Sequence, residues 1–152
     1  MKQLITWTKM IFVLMVVSNL NSFAAAKTEV KELVCEYQIN PMGIDVQKPR
    51  LSWQILSAEE NVLQTAYEIK VTDQTAKGKQ LWTSGKVNSD QSVNVTYEGP
   101  VLKSMQRVYW QVRVWDNNGK ATAWSAPAFW EMGILEPESW KASWITLGSE
   151  KE

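Results

Sequence analysis

The stretch that decides the fold is Tyr109-Trp110-Gln111-Val112-Arg113-Val114-Trp115. Its apolar side chains recur at every second position, which is the period of a half-buried β-strand and not that of a helix. The predicted inward set is Trp110, Val112 and Val114. Directly afterwards, Asp116-Asn117-Asn118-Gly119 predicts a hairpin turn in which Asn118 and Gly119 take positive φ. The run from Ala128 to Met132 is the predicted partner strand.

Five more runs of this kind lie upstream and are separated by turn residues, among them Asn40-Pro41-Met42-Gly43. In four of them the alternating residues predicted to share the inward face are Leu33, Cys35 and Tyr37; Leu51, Trp53 and Ile55; Tyr67, Ile69 and Val71; and Val93, Val95 and Tyr97. The fifth, Leu81-Trp82-Thr83, is predicted as a short strand. Seven strands in about a hundred residues predict an all-β fold, a seven-stranded immunoglobulin/fibronectin type III-like sandwich.

The N-terminus has the pattern of an export signal. Lys2 and Lys9 precede an apolar run at 10–17, and Ala24-Ala25-Ala26 supplies the small residues of a cleavage site. The apolar run is too short to span a bilayer. We therefore expect an exported protein, periplasmic or extracellular, with no membrane span after cleavage. An uncleaved N-terminal anchor is the alternative.

These boundaries divide the chain into three parts. We expect a signal peptide at 1–26, the sandwich at 27–135, and a tail at 136–152 that leads into a second module missing from this sequence. On that basis the chain is expected to be a fragment or a truncated gene product.

Charge and composition exclude several kinds of chemistry. The 152 residues include 16 Lys and Arg, 16 Asp and Glu, no His and one Cys. Without His there is no Ser-His or Cys-His catalytic pair and no zinc site of the usual kind, and we predict no cofactor and no metal. Removing Lys2 and Lys9 with the signal leaves 14 basic against 16 acidic residues, a net charge of −2. No basic face remains for nucleic acid, which we exclude as a partner.

The acidic residues offer no catalytic pair. Glu59 and Glu60 are adjacent in a polar connection, and Glu136 and Glu138 flank Pro137 in the tail. An inverting glycosidase needs two carboxyl groups across a sugar-sized cleft, one of them with its pKa raised by burial. We predict solvated surface carboxylates and no catalytic residue. Cys35, on an inward position, is predicted to be a small buried apolar residue.

The tryptophans are the candidate binding residues. Trp53 and Trp110 belong to the predicted core by alternation. Three others are candidates for exposure, namely Trp82, Trp115 and Trp124. Exposed rings either pack on a neighbouring domain, which we favour, or stack on sugar rings.

Trp140 and Trp144 lie beyond the last predicted strand, after Pro137. Residues four apart share a face in a helical turn and also in an extended segment. This pair is therefore predicted to contact another domain or a carbohydrate.

The placement of aromatics resembles a fibronectin type III module: an inward Trp53 on the second strand, Tyr67 at the start of the third, and Trp124-Ser125 after the long strand. In that family a Leu stands six residues before a Tyr that ties the corner into the long strand. Counting from Leu102 gives Val108, one residue before Tyr109. Either the corner is made differently here, or Tyr109 faces outward.

A narrower resemblance covers nearly the whole mature chain, because its motifs occur in the same order at the start of bacterial α-L-rhamnosidases of glycoside hydrolase family 78. The shared motifs are Leu33-Val34-Cys35-Glu36-Tyr37, Asn40-Pro41-Met42-Gly43-Ile44-Asp45, Pro49-Arg50-Leu51-Ser52-Trp53, Gln64-Thr65-Ala66-Tyr67, Leu81-Trp82-Thr83-Ser84-Gly85-Lys86-Val87, Ser89-Asp90-Gln91-Ser92, Tyr109 to Asp116 and Trp140-Lys141-Ala142-Ser143-Trp144-Ile145.

The resemblance implies the N-terminal β-sandwich module of such an enzyme, with no catalytic residue of its own. In that family hydrolysis belongs to a later α/α toroid, to which nothing here corresponds. The implied partners are the neighbouring domains of a larger rhamnosidase, and rhamnose-containing glycans are further candidates. Two alternatives stay open: a free-standing carbohydrate-binding module and an adhesion module of the cell envelope.

Overall fold

Eight β-strands form two sheets in the computed structural model, which describes residues 28–73, 75 and 77–143. The strands are β1 (Glu29–Cys35), β2 (Met42–Ile44), β3 (Arg50–Leu56), β4 (Gln64–Asp73), β5 (Gln80–Thr83), β6 (Val95–Thr96), β7 (Arg107–Asp116) and β8 (Ala128–Met132). A single 3-10 turn follows at Pro137–Ser139. The predicted signal peptide lies outside the described residues.

The two sheets form the predicted immunoglobulin-like sandwich. One sheet has three strands in the order β1-β3-β6, and the other has five in the order β2-β8-β7-β4-β5. Neighbouring strands are antiparallel except β2 and β8, which are parallel. The all-β fold class is therefore confirmed.

Seven strands are predicted from the sequence and eight are present. The additional strand is β2, which lies where the sequence predicts only a turn. Its ends are tied to the edge of β8: Glu131 N–H donates to Pro41 O at 3.0 Å, and Gly133 N–H donates to Ile44 O at 2.7 Å. A three-residue edge strand needs no buried alternation, so the sequence carries little local signal for it.

The core lies between the sheets on the faces that alternation predicted. In β7 every second residue is buried, and β4 presents Tyr67, Ile69 and Val71 to the same interior. Trp53 and Trp110 are both buried, and Trp53 Nε1–H donates to Gln64 Oε1 at 3.0 Å. Burying large side chains supplies most of the favourable free energy of folding.

Two predicted inward residues are instead exposed, because alternation stops earlier than the sequence suggests. β1 ends at Cys35, and Glu36 and Tyr37 follow with φ of 46° and 63°. Cys35 and Gln38 exchange backbone hydrogen bonds across them, as in a type I′ turn, so Tyr37 points away from the core. Val93 precedes β6 and is also exposed.

The predicted hairpin turn after β7 is present. Gly119 N–H donates to Asp116 O at 2.9 Å, and Gly119 takes φ +75° whereas Asn118 does not take positive φ. The chain then runs beside β7 as an irregular stretch, residues 121–127, which we call the return segment. β8 follows and pairs with the start of β7, as predicted.

The corner before β7 is made without Tyr109. Tyr109 lies on the outer face of the five-stranded sheet with its ring 5.9 Å from that of Phe129, whereas Leu102 is buried. A different tyrosine, Tyr97, is fully buried and donates its hydroxyl to Pro100 O at 3.1 Å. The outward alternative for Tyr109 is therefore the one observed.

The strand directions give the sandwich two distinct ends. At the exit pole lie residues 36–49, 77–79, 97–106 and 133–143, because β1, β4 and β6 end there and the chain leaves β8 there. At the opposite pole lie residues 57–63, 84–94 and 117–120. The chain enters β1 from the opposite pole.

Candidate functional site

The outer face of the five-stranded sheet carries a cluster of aromatic rings and cations that we call the outer stack. Its members are Lys70, Lys86, Arg113, Trp115 and Trp124. The Arg113 guanidinium carbon lies 4.9 Å from the centroid of Trp115 and 4.8 Å from that of Trp124. Lys86 Nζ lies 4.7 Å from the Trp115 centroid, and Lys70 Nζ lies 4.4 Å from that of Trp124. A cation at such separations is attracted to the face of an aromatic ring.

The return segment places Trp124 in the stack by an unusual pairing with β7. Ser125 N–H donates to Val112 O at 2.8 Å, and Val112 N–H donates to Ser125 Oγ at 3.1 Å. Thr122 makes the same pair of bonds with Val114, through its N–H and its Oγ1. Two hydroxyls thus replace the backbone carbonyls of a regular strand, and Trp124 is held over the outer face of β7.

Glu68 fixes the centre of the outer stack. Its Oε2 accepts from Arg113 Nε at 2.8 Å and from Arg113 Nη2 at 2.6 Å, and the two residues are direct partners in the β4–β7 ladder. Three cations and one carboxylate leave this surface positive. Because cations lie against the rings of Trp115 and Trp124, those faces are not open to a sugar ring.

Trp82 is a part of the interior packing. It is half-buried, packs against the core cluster, and its ring meets that of Tyr97 edge-on at 5.1 Å. Its partner across the ladder is Val71 of β4. Trp82 therefore joins the short strand β5 to the core.

Trp140 is the most accessible of the five candidate tryptophans among the described residues, with 64% of its surface exposed. It directly follows the 3-10 turn, and its N–H donates to Pro137 O at 3.1 Å. Trp144 lies outside the described residues. The structure therefore brings together Trp115 and Trp124, and places Trp82 and Trp140 elsewhere.

A second cluster, at the exit pole, had no signal in the sequence analysis. Arg50 donates to Glu36 through Nη2 at 2.6 Å and through its backbone N–H at 2.6 Å, and its guanidinium lies 4.9 Å from the Tyr37 centroid. The side-chain hydrogen bonds from Arg50 hold the pKa of Glu36 below its usual value. The pairing across the turn could not be read from spacing because neither turn residue is a Gly or Asn.

The acidic candidates for catalysis lie in two separate segments, Glu59 and Glu60 between β3 and β4 and Glu136 and Glu138 after β8. Glu59, Glu60 and Glu138 are exposed, and Glu136 accepts a hydrogen bond from the Ser104 hydroxyl. Cys35 is buried, and burial raises the pKa of its thiol to about 12, so at neutral pH it is an apolar core residue as predicted.

Two further observations concern only the described ranges. No group of His, Cys, Asp and Glu side chains in residues 28–73, 75 and 77–143 is placed to hold a metal ion. No helix in this part of the chain is long and apolar enough to cross a membrane.

The sandwich and its sequence match one known family. Residues 30–136 match the family model described as the N-terminal immunoglobulin domain of Rha78A-like proteins. The chain belongs to this family. As a Rha78A-like N-terminal immunoglobulin domain, it is expected to share its fold with the first part of much longer proteins.

Individual relatives agree with that assignment. An α-L-rhamnosidase from Streptomyces avermitilis is 46% identical over 113 residues, which are 73% of this chain and 11% of that protein. The crystal structure of S. avermitilis α-L-rhamnosidase complexed with L-rhamnose superposes with a TM-score of 0.73 at 43% identity, covering 78% of this chain and 12% of that one. The structure of the α-L-rhamnosidase from Dictyoglumus thermophilum superposes with a TM-score of 0.72 at 34% identity, covering 80% of this chain and 14% of that one.

The chain therefore spans between 11 and 14% of the length of these relatives. The shared region is a single domain of each of them, so the resemblance to the rhamnosidase N-terminal module is confirmed at the level of the domain.

Proposed function

We propose that this chain is the N-terminal accessory module of an exported α-L-rhamnosidase, and that it takes no chemical part in hydrolysis. The observation that carries the proposal is the match of residues 30–136 to a family of N-terminal domains whose relatives include α-L-rhamnosidases. The packing of the interior supports the proposal, because Trp53, Trp110 and Trp130 fill the space between the sheets. A small sandwich whose interior is filled by its own core has little concave volume for a buried sugar.

Replacement in a relative tests the accessory role. Three forms of the S. avermitilis α-L-rhamnosidase would be compared: the native enzyme, a form lacking the region that matches this chain, and a form in which this chain replaces that region. We expect the deletion to lower the temperature of inactivation and the replacement to restore most of it, without a change in KM for an aryl rhamnoside. A replacement that carries Trp110→Ala is the matched control and should restore less. A replacement that behaves like the deletion would refute the proposal.

Export is the second part of the proposal, and it rests on the pattern of the first 26 residues. The mature protein is then expected to begin at or within two residues of Lys27. N-terminal sequencing of the secreted or periplasmic protein measures this. An intact Met1 in a membrane fraction would favour an uncleaved anchor instead.

A free-standing carbohydrate-binding module is the competing function. It would require at least two exposed, coplanar aromatic rings with open faces. Trp115 and Trp124 are half-buried, and each has cations against its ring. We therefore favour the accessory module over sugar binding at the outer stack.

A further inference from the structure

The exposed apolar side chains are concentrated at one end of the sandwich. Eleven large apolar residues are exposed in the described part of the chain, and seven of them lie at the exit pole. These seven are Tyr37, Met42, Val46, Val101, Met105, Ile134 and Trp140. Ile39 lies on the flank of the sandwich, beside β1 and the return segment, and the remaining three are Leu56, Leu63 and Val93. Scattered exposed apolar residues are normal on a protein surface, whereas a concentration on one surface marks a site of contact.

The opposite pole has fewer exposed apolar side chains, namely Leu56, Leu63 and Val93, although charged side chains occur at both poles. Its connections otherwise carry polar stretches such as Glu59-Glu60-Asn61 and Asn117-Asn118. The contrast between the two poles cannot be attributed to loops in general, because both poles are built from loops of the same sandwich. The exit pole is therefore the end that benefits from being covered.

The exit pole also contains a formed groove. Met105 and Trp140 line it together with Leu135 and Pro137, and its volume is about 550 Å³. Met105 is held at the rim in a left-handed conformation, φ 58°, by a hydrogen bond of 3.0 Å from its N–H to Gly133 O. A non-glycine residue in this conformation costs free energy, so its surroundings must hold it there. The position of Met105 at the groove is therefore fixed by the backbone of this chain alone.

We propose that the exit pole is the docking face for the module that follows this one in the enzyme, with Met105 and Trp140 at the centre of the contact. The inference rests on the proposed function. Two observations select this occupant: the chain leaves β8 at this pole and runs past the groove, and the relatives extend far beyond the shared domain. A module on the same chain has a high effective concentration at this surface, which a separate partner lacks.

The chemistry of the pole indicates what the partner surface must present. Two flexible methionines, Met42 and Met105, adapt to an irregular apolar surface, and Trp140 offers a large ring for burial. A complementary face would be apolar at its centre. Arg50 and Glu36 already satisfy each other, so the rim needs no charged partner there.

Amide hydrogen exchange tests the proposal on this chain alone and on the same chain joined to the S. avermitilis enzyme in place of its own matching region. We expect exchange in peptides covering 101–106 and 133–140 to slow about tenfold or more in the joined form, while peptides covering 57–63 and 117–121 are unchanged. Protection at the opposite pole, or at neither pole, would overturn the proposal. Protection of the exit pole in the isolated chain that rises with concentration would assign the face to a second copy and would also overturn it.

Variants separate docking from folding. Met105→Glu combined with Trp140→Glu should leave the unfolding midpoint of the isolated chain unchanged, because both side chains are largely exposed, and should abolish the added protection in the joined form. Leu63→Glu is the matched control, since Leu63 is 66% exposed and Met105 67%, but Leu63 lies at the opposite pole. Leu63→Glu should change neither the unfolding midpoint of the isolated chain nor the added protection in the joined form. If the joined enzyme regains stability and the exit pole stays unprotected, the docking face is wrong while the accessory function stands.

Discussion

At the scale of single residues, the two faces of β7 predict different costs for removing a tryptophan. Trp110 is buried, whereas Trp115 is half-buried on the outer face against Arg113 and Lys86. Trp110→Ala should lower the free energy of unfolding by about 3–5 kcal/mol, because it removes a core ring and leaves a cavity. Trp115→Ala should cost about 1 kcal/mol, from partial burial and the cation contacts. Denaturant midpoints measure both, and the reverse order would contradict the assignment of the faces.

The Glu36–Arg50 pair predicts a dependence of stability on pH. The hydrogen bonds from Arg50 lower the pKa of Glu36 in the folded state, so the carboxylate stabilises the fold above its ordinary pKa of 4.5, and the contribution is lost as the pH falls through the lower, folded value. Glu36→Gln should therefore lower the unfolding temperature at pH 7, and the difference from the parent should shrink as the pH falls below about 4.5.

The control for this pair is Glu98→Gln. Glu98 pairs with Lys48, and both side chains are more than half exposed to water. Exposed ion pairs contribute little, so Glu98→Gln should change the unfolding temperature only slightly at either pH. A deficit in Glu36→Gln that is the same at pH 3 and pH 7 would refute the electrostatic explanation.

At the scale of elements, the return segment depends on two hydroxyl groups. Ser125 is buried, and its Oγ accepts from the N–H of Val112. Ser125→Ala would leave this buried donor without its acceptor, at a cost of about 1–3 kcal/mol. We expect a lower denaturant midpoint and faster amide exchange at Val112. Thr122→Ser retains its hydroxyl and should leave the amide of Val114 unchanged. Normal protection of Val112 in Ser125→Ala would show that the hydroxyl does not hold the segment.

The sequence predicted the elements whose pattern is local. β3, β4 and β7 alternate over several residues because one face of each is buried, and this gave their inward positions. β2 has no such pattern: Met42 is exposed, Gly43 has φ +80°, and only pairing with β8 makes it a strand. The turn at Glu36-Tyr37 was missed because positive φ was expected at Gly or Asn, and here tertiary contacts with Arg50 stabilise it.

The outer stack likewise depends on tertiary contacts that leave no local pattern in the sequence. Alternation placed Trp115 on the outward side of its strand, and Trp124 was identified as a candidate for exposure. Lys70 and Lys86 come from β4 and from the segment after β5, so their contact with these rings depends on the register of three strands. Such a register follows from the packed sheet and cannot be read from the spacing of residues in the chain.

At the scale of the whole molecule, the polarity of the two poles matches the direction of the chain. The chain enters the sandwich at the opposite pole and leaves it at the exit pole, where most of the exposed large apolar side chains lie. If the exit pole docks as proposed, the module contacts its neighbour on the side where the chain continues.

The isolated chain should not release rhamnose from an aryl rhamnoside. Inverting hydrolysis needs two carboxyl groups about 6.5–9.5 Å apart on either side of a bound sugar, one of them held protonated by its surroundings. Glu59 and Glu60 are adjacent, exposed residues of one connection at the opposite pole, and the interior of the sandwich is filled by core side chains such as Trp110 and Trp130. A chromogenic rhamnoside incubated with micromolar protein should give the rate of the buffer blank, while the S. avermitilis enzyme carrying this chain hydrolyses it. Turnover by the isolated chain that disappears in a Glu59→Gln, Glu60→Gln variant would place chemistry in this module, because those substitutions remove the carboxylates and leave the buried core untouched.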